Sequence, residues 1–259
     1  MHLFNASSLV NEEGIKELLS TWNNPGELRN KLIEAKKMLL KSYNFRAYNI
    51  PEDFTTTSYV IAANHLTDSD GPLIISYYYE LMHQVKDTYP ELFVFAKKNC
   101  FNGVSIPKEL APILEFEKVC SVDRESSEGS MMAIKAAVKW FEEGEKPKHF
   151  LIFPQGTIYD INKDSSEDIE RGAFWLAKLL GIPVLPAFIE QAVEGAENRF
   201  VFGKPIVIPK DCRDFDDHKK LWLESVIEAQ NELGILTGTP AREAMLDEEH
   251  QTRKRFKPK

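Results

Sequence analysis

Asn64-His65-Leu66-Thr67-Asp68-Ser69-Asp70 follows directly on a short apolar run. A histidine and an aspartate in one loop can act as a general base and its orienter. The carboxylate holds one ring nitrogen, which fixes the tautomer and leaves the other nitrogen to take a proton. The spacing restricts how they meet. Five residues on a continuous helix rotate two side chains by about 140°, so they would face apart. The pair can form only with His65 in a loop and Asp70 in the first turn of the next helix. Gly71-Pro72 suits such a helix start. Loops at the carboxyl ends of strands are where open α/β sheets place their sites. The structural alternative is a polar helix cap beside a surface histidine.

Three further segments sit beside apolar runs. In Phe153-Pro154-Gln155-Gly156-Thr157, Pro and Gly bracket a turn, Gly156 permits close approach of backbone to a ligand, and Gln155 and Thr157 offer neutral hydrogen-bonding groups. Taken alone it is a common turn. In Val122-Asp123-Arg124 the arginine could clamp a phosphate bidentately or make a surface ion pair. In Ile182-Pro183-Val184-Leu185-Pro186 two prolines frame a strand edge, ordinarily a structural feature. Other chemistries find less support. No GxSxG elbow occurs, which disfavours a serine hydrolase. His83 and His149 lack the spacing that would make them metal ligands with His65 and Asp70, so no metal is expected.

The elements that must carry these segments read as an α/β domain with a largely parallel sheet. Short apolar runs at 59–63, 93–96, 119–122, 150–153 and 184–188 fit buried strands. Helical patterns lie at 72–84, 130–143 and 170–180, and such alternation is the signature of that class. A last helix over about 216–233 carries Trp222, Val226, Ala229 and Leu233 on one face, with Gly234 at its end. Ahead of the domain, residues 1–50 read as a helical hairpin. Ile15, Leu18, Leu19 and Trp22 form one apolar stripe and Leu28, Leu32, Ala35 and Leu39 another. The expected organisation is a hairpin at 1–50, a domain at 51–235 and a polar, basic-ended tail at 236–259.

The order and spacing of the four segments resemble the glycerolipid acyltransferase superfamily, the PlsC-like group that includes lysophosphatidic acid acyltransferases. Its NHxSxxD motif is matched by NHLTDSD, its second-motif arginine by Arg124, FPEGT by FPQGT, and its apolar-Pro-apolar-x-Pro run by IPVLP. Connecting text is similar too: Ala96-Lys97-Lys98, Arg171-Gly172-Ala173 and Phe202-Gly203-Lys204-Pro205-Ile206. The resemblance covers about residues 58–210. It implies a PlsC-like fold and transfer of a fatty acyl group from a thioester of coenzyme A or acyl carrier protein to a hydroxyl, with no further cofactor. It implies His65 and Asp70 as the catalytic pair. Asn64, Lys97, Arg124, Gln155, Gly156, Thr157 and Pro183 would be substrate-binding, with Arg124 and Lys97 toward an acceptor phosphate. Two positions depart from the pattern: Gln155 replaces a usual Glu, and Ile158-Tyr159 stands where many members have Arg-Ser.

The acceptor expected is a lysophospholipid or glycerol phosphate. The alternatives are a non-phosphorylated lipid or secondary metabolite, or lipid binding without catalysis. A net charge of -8 and a pI near 5.4 argue against a nucleic-acid partner. Three scattered cysteines suggest neither zinc nor disulfides. The opening residues show no signal-peptide pattern, and the longest apolar stretch, 174–189, is broken by Lys178, Pro183 and Pro186. The location expected is therefore cytoplasmic, with peripheral membrane contact open through the N-terminal helices or the tail Arg253-Lys254-Arg255-Phe256-Lys257-Pro258-Lys259.

Overall fold

A computed structural model describes residues 45–66, 78, 90–97, 119–123, 126–144, 147–190 and 198–241. The expected N-terminal helices, most of the helix at 72–84 and the basic tail lie outside these residues.

Seven strands form one sheet: β1 (Phe45–Tyr48), β2 (Val60–Ala63), β3 (Glu91–Lys97), β4 (Val119–Val122), β5 (Lys148–Ile152), β6 (Val184–Ile189) and β7 (Asn198–Phe202). Their order is β1-β7-β6-β2-β5-β3-β4, and every neighbouring pair is parallel except β6 with β7. Among the described residues three helices pack on it: α1 (Ser127–Glu142), α2 (Gly172–Leu180) and α3 (Asp216–Thr237).

The strands read as continuous apolar runs because both faces of the sheet are covered. Side chains alternate across a strand. Val60 and Ala62 of β2 therefore join Phe150, Phe174, Val184 and Trp222 in the core beneath the three helices. Tyr59, Ile61 and Ala63 join Leu151, Leu185, Phe54 and Tyr78 in a second core on the opposite face. Tyr78 is helical, as expected for 72–84, and its hydroxyl donates to the Pro90 carbonyl at 2.8 Å.

Helix ends follow local chemistry. Ser126 caps α1, its hydroxyl accepting from the Gly129 N–H at 3.0 Å. At the other end the buried Lys148 ammonium donates to the Trp140 and Glu143 carbonyls, filling orphan acceptors where the helix dipole favours a cation. α2 ends at Gly181 with φ 67°, a left-handed cap.

Three expectations need adjusting. The sheet begins at Phe45, inside the stretch read as helical hairpin, and β1 pairs with β7. α3 runs through Gly234 to Thr237 and is capped by Gly238 instead. The backbone of Pro240 folds back to 3.3 Å from where a Cβ of residue 234 would sit, so that glycine serves close approach and not termination. The boundary at 235 thus falls within α3. Among the described residues no helix is long and apolar enough to cross a membrane.

Candidate active site

Parallel pairing brings the first and third motifs together. β2 and β5 are neighbours with Ala62 opposite Ile152. Continuing that register sets Ala63 beside Phe153 and His65 level with Gln155. His65 is thus just past the carboxyl end of the central strand. Its imidazole, half-buried, stacks on the Phe153 ring with centroids 4.4 Å apart and planes 26° from parallel.

The histidine backbone is held at both polar groups. Its N–H donates to Gln155 Oε1 at 2.5 Å, and its carbonyl accepts from the Tyr159 N–H at 3.0 Å. Gln155 is itself buried, and its Nε2 donates to the Tyr159 carbonyl at 3.1 Å and to Asp164 Oδ2 at 2.6 Å. The loop that supplies these groups turns at Gly156, whose φ of 69° suits glycine. Ile158 and Ile161 anchor the loop in the core. Ile158 is therefore an apolar anchor in this chain.

Asn64 secures the other side. Its side chain is fully buried and works as an extra rung of the sheet. Nδ2 donates to the Ile189 carbonyl at 3.0 Å, and Oδ1 accepts from the Ile189 N–H at 2.6 Å. A carboxamide carries one donor group and one acceptor, so it can copy a peptide unit where the strand itself stops. Below it, the buried Trp222 of α3 donates Nε1–H to the Ala62 carbonyl at 2.9 Å. His65 is thus fixed by β5 on one flank, β6 on the other and α3 from beneath.

The other expected site residues fall as follows. Lys97 is the last residue of β3, and Val122 opposite it ends β4, so the carboxyl ends of β2, β5, β3 and β4 share one edge of the sheet. Gly156 and Thr157 lie in the loop at that edge, Thr157 partly exposed. Asp70 and Arg124 lie outside the described residues. Pro183 is not brought to this edge. Its carbonyl accepts from the Val60 N–H at 3.0 Å, at the amino ends of β2 and β6. The fourth motif thus enters β6 at its amino end and runs along that strand. Pro186 lies where β7 leaves the β6 ladder, and its carbonyl accepts from the Gly203 N–H at 2.9 Å. A Cβ on Gly203 would sit 2.2 Å from Ser225 Oγ and 3.2 Å from the Pro186 Cβ, so glycine lets β7 leave the sheet close against Pro186 and α3.

The sequence points to Gln155 as an acceptor contact, marks Tyr159 only as a departure from the resembled pattern, and gives no sign of Asp164. Neither of the last two has a motif signal: one contributes backbone, and the other lies nine residues beyond Gln155 between two short 3-10 turns, Ile161–Lys163 and Ser166–Asp168.

Residues 45–190 match the acyltransferase family. No curated protein matches the chain in sequence. Among solved structures it is similar to the 1-acyl-sn-glycerophosphate (LPA) acyltransferase PlsC from Thermotoga maritima, with 19% identity, a TM-score of 0.55, and coverage of 88% of this chain and 90% of that one. At that identity the likeness is one of fold. The family match, which spans more than half of the 259 residues, shows that the chain belongs to the acyltransferase family.

Proposed function

We propose that this acyltransferase moves a fatty acyl group from an acyl thioester to a hydroxyl of a lysophospholipid or glycerol phosphate, with His65 as general base. The single observation that carries the reading is the fixing of His65 at the carboxyl edge of the sheet, between Gln155 and Asn64. The imidazole removes the hydroxyl proton as the oxygen attacks the thioester carbonyl. The carbon–sulfur bond then breaks, and the imidazolium returns the proton to the departing thiolate. Asp70 orients the ring. Because the base activates the acceptor directly, no acyl-enzyme is needed. Arg124 and Lys97 hold the acceptor phosphate. Either coenzyme A or acyl carrier protein can present the thioester.

The buried Ile158 favours a second acceptor class, non-phosphorylated lipids, because one phosphate-binding cation is absent there. A panel of acceptors offered with one acyl thioester, read by thiol release, separates the two. Consumption of phosphorylated acceptors alone supports the leading reading, and consumption of neutral ones alone overturns it. In the same assay His65→Ala is expected to lose about 10²–10⁴-fold in turnover with its melting temperature preserved. Near-normal turnover would remove His65 from the mechanism.

A further inference from the structure

We propose that Asp164 is a positioning residue for His65, acting through the side chain of Gln155. The inference deepens the reading of His65 as the base and rests on it.

A carboxamide is nearly symmetric in shape, so something must decide which of its ends faces His65. With the amide reversed, an NH₂ group would meet the His65 N–H, donor against donor. The decision is made at the far end. There Gln155 Nε2 meets two acceptors, the Tyr159 carbonyl at 3.1 Å and Asp164 Oδ2 at 2.6 Å. An ionised carboxylate has no hydrogen to give, so only Nε2 can face it. Oε1 is then left pointing at the His65 N–H, 2.5 Å away. Gln155 is 2% exposed, so solvent does not substitute for these partners.

Asp164 is itself fixed. Its N–H donates to the Ile161 carbonyl at 3.3 Å as it ends a 3-10 turn, and Ile161 is buried. The segment 155–164 therefore holds both polar groups of the His65 backbone, one through Gln155 and one through Tyr159. His65 has left the strand pairing of β2, so these bonds fix the stretch of backbone that carries its imidazole.

The same geometry accounts for glutamine at 155. A glutamate there would lose the donor toward both Tyr159 and Asp164, and would set a second carboxylate against the first. Two carboxylates at that separation share a proton. In this chain the negative charge sits one link further from His65, on Asp164, and the amide passes its orientation to the histidine.

The test uses the full chain as wild type, Q155E, D164N, D164A and Q155E/D164N. The readouts are kcat, both KM values, melting temperature and the ¹⁵N-resolved backbone amide of His65. Q155E is expected to lose about tenfold in kcat, the equivalent of one hydrogen bond, with both KM values little changed. Its activity relative to wild type should rise as pH falls, because a proton shared with Asp164 makes the introduced carboxyl group a donor again. Q155E/D164N should recover most of the loss, because the amide introduced by D164N can donate to the carboxylate introduced by Q155E. In D164A, which keeps residue 155 intact, the His65 amide resonance should move upfield as its hydrogen bond weakens.

A rise in acceptor KM with kcat unchanged would instead make Gln155 a direct acceptor contact and overturn the proposal. So would additive losses in the double variant, or an unmoved His65 amide in D164A. The base reading fails separately, through retained turnover in His65→Ala. The amide resonance reports the Asp164 link independently of that result.

Discussion

Acidification should unfold this protein earlier than a non-titrating variant at His149, and the structure sets the size of the effect. His149 of β5 is fully buried among the rings of Phe54, Tyr59 and Tyr78, with centroids 4.5, 5.7 and 5.5 Å away. Its Nε2 lies 3.0 Å from the Thr57 carbonyl, which requires Nε2–H, and buried Nδ1 has no hydrogen-bond partner. Burial disfavours the charged ring and pushes its pKa from 6.5 down to about 4, only partly opposed by the Thr57 and Phe54 carbonyls. Between those values the unfolded chain binds a proton that the folded one refuses. The stabilisation is complete above about pH 6.5 and is lost as pH falls through 4. At 1.36 kcal/mol per pH unit, the loss between pH 7 and 4 is about 3 kcal/mol, a large part of a typical domain's stability. Asp53, lowered by its hydrogen bonds from Tyr59 and Thr57, acts in the same direction but below 3.8, so the windows separate. His149→Gln keeps a donor for Thr57 and does not titrate. Urea unfolding of both proteins from pH 7 to 4 should give curves that diverge below 6.5 by about 3 kcal/mol. Parallel curves would show that His149 is not the group responsible.

Two other perturbations follow from single side chains. Asn64→Ala strips the partners from the buried Ile189 N–H and carbonyl. At about 1–3 kcal/mol for each orphaned group it should cost about 2–6 kcal/mol in chemical denaturation, and turnover should fall with it; unchanged stability would mean that water fills the gap. Arg199 makes a bidentate pair with the buried Glu190, at 2.6 and 2.5 Å, and reaches Thr237 and Thr239 at the end of α3. Arg199→Leu should cost about 3–5 kcal/mol by leaving that carboxylate unpaired, while Arg199→Leu with Glu190→Gln should recover much of it; equal losses in the two would refute the account.

What was legible in the sequence depended on whether function or packing repeats a pattern. All five expected strands are present, because a sheet covered on both faces needs uninterrupted apolar runs. β1 and β7 escaped notice for physical reasons. Phe45-Arg46-Ala47-Tyr48 is short and alternates, and β7 opens with the buried polar residues Asn198 and Arg199. Arg199 is tolerated there through Glu190, nine positions away, and the hydroxyls of Thr237 and Thr239, which no local pattern reveals. Gly234 looked like a helix stop because glycine ends helices often. In α3 it is the chain beyond the helix, folding back at Pro240, that comes close to it.

The site divides along the same line. His65 was legible because the proposed base needs a particular side chain, whereas the groups that hold its backbone needed only a donor or acceptor in the right place. Tyr159 works through its backbone, so any residue could stand there. Asn64 was read as part of a substrate-binding motif, and in the fold its buried amide joins β2 to β6 through the Ile189 N–H and carbonyl. Gln155, read as a departure from a carboxylate, proves matched to its surroundings: it faces a donor at one end and a carbonyl and a carboxylate at the other. A glutamate could serve only the first. The substitution at 155 and the aspartate at 164 are therefore one feature of this chain, and neither can be interpreted from its own position alone.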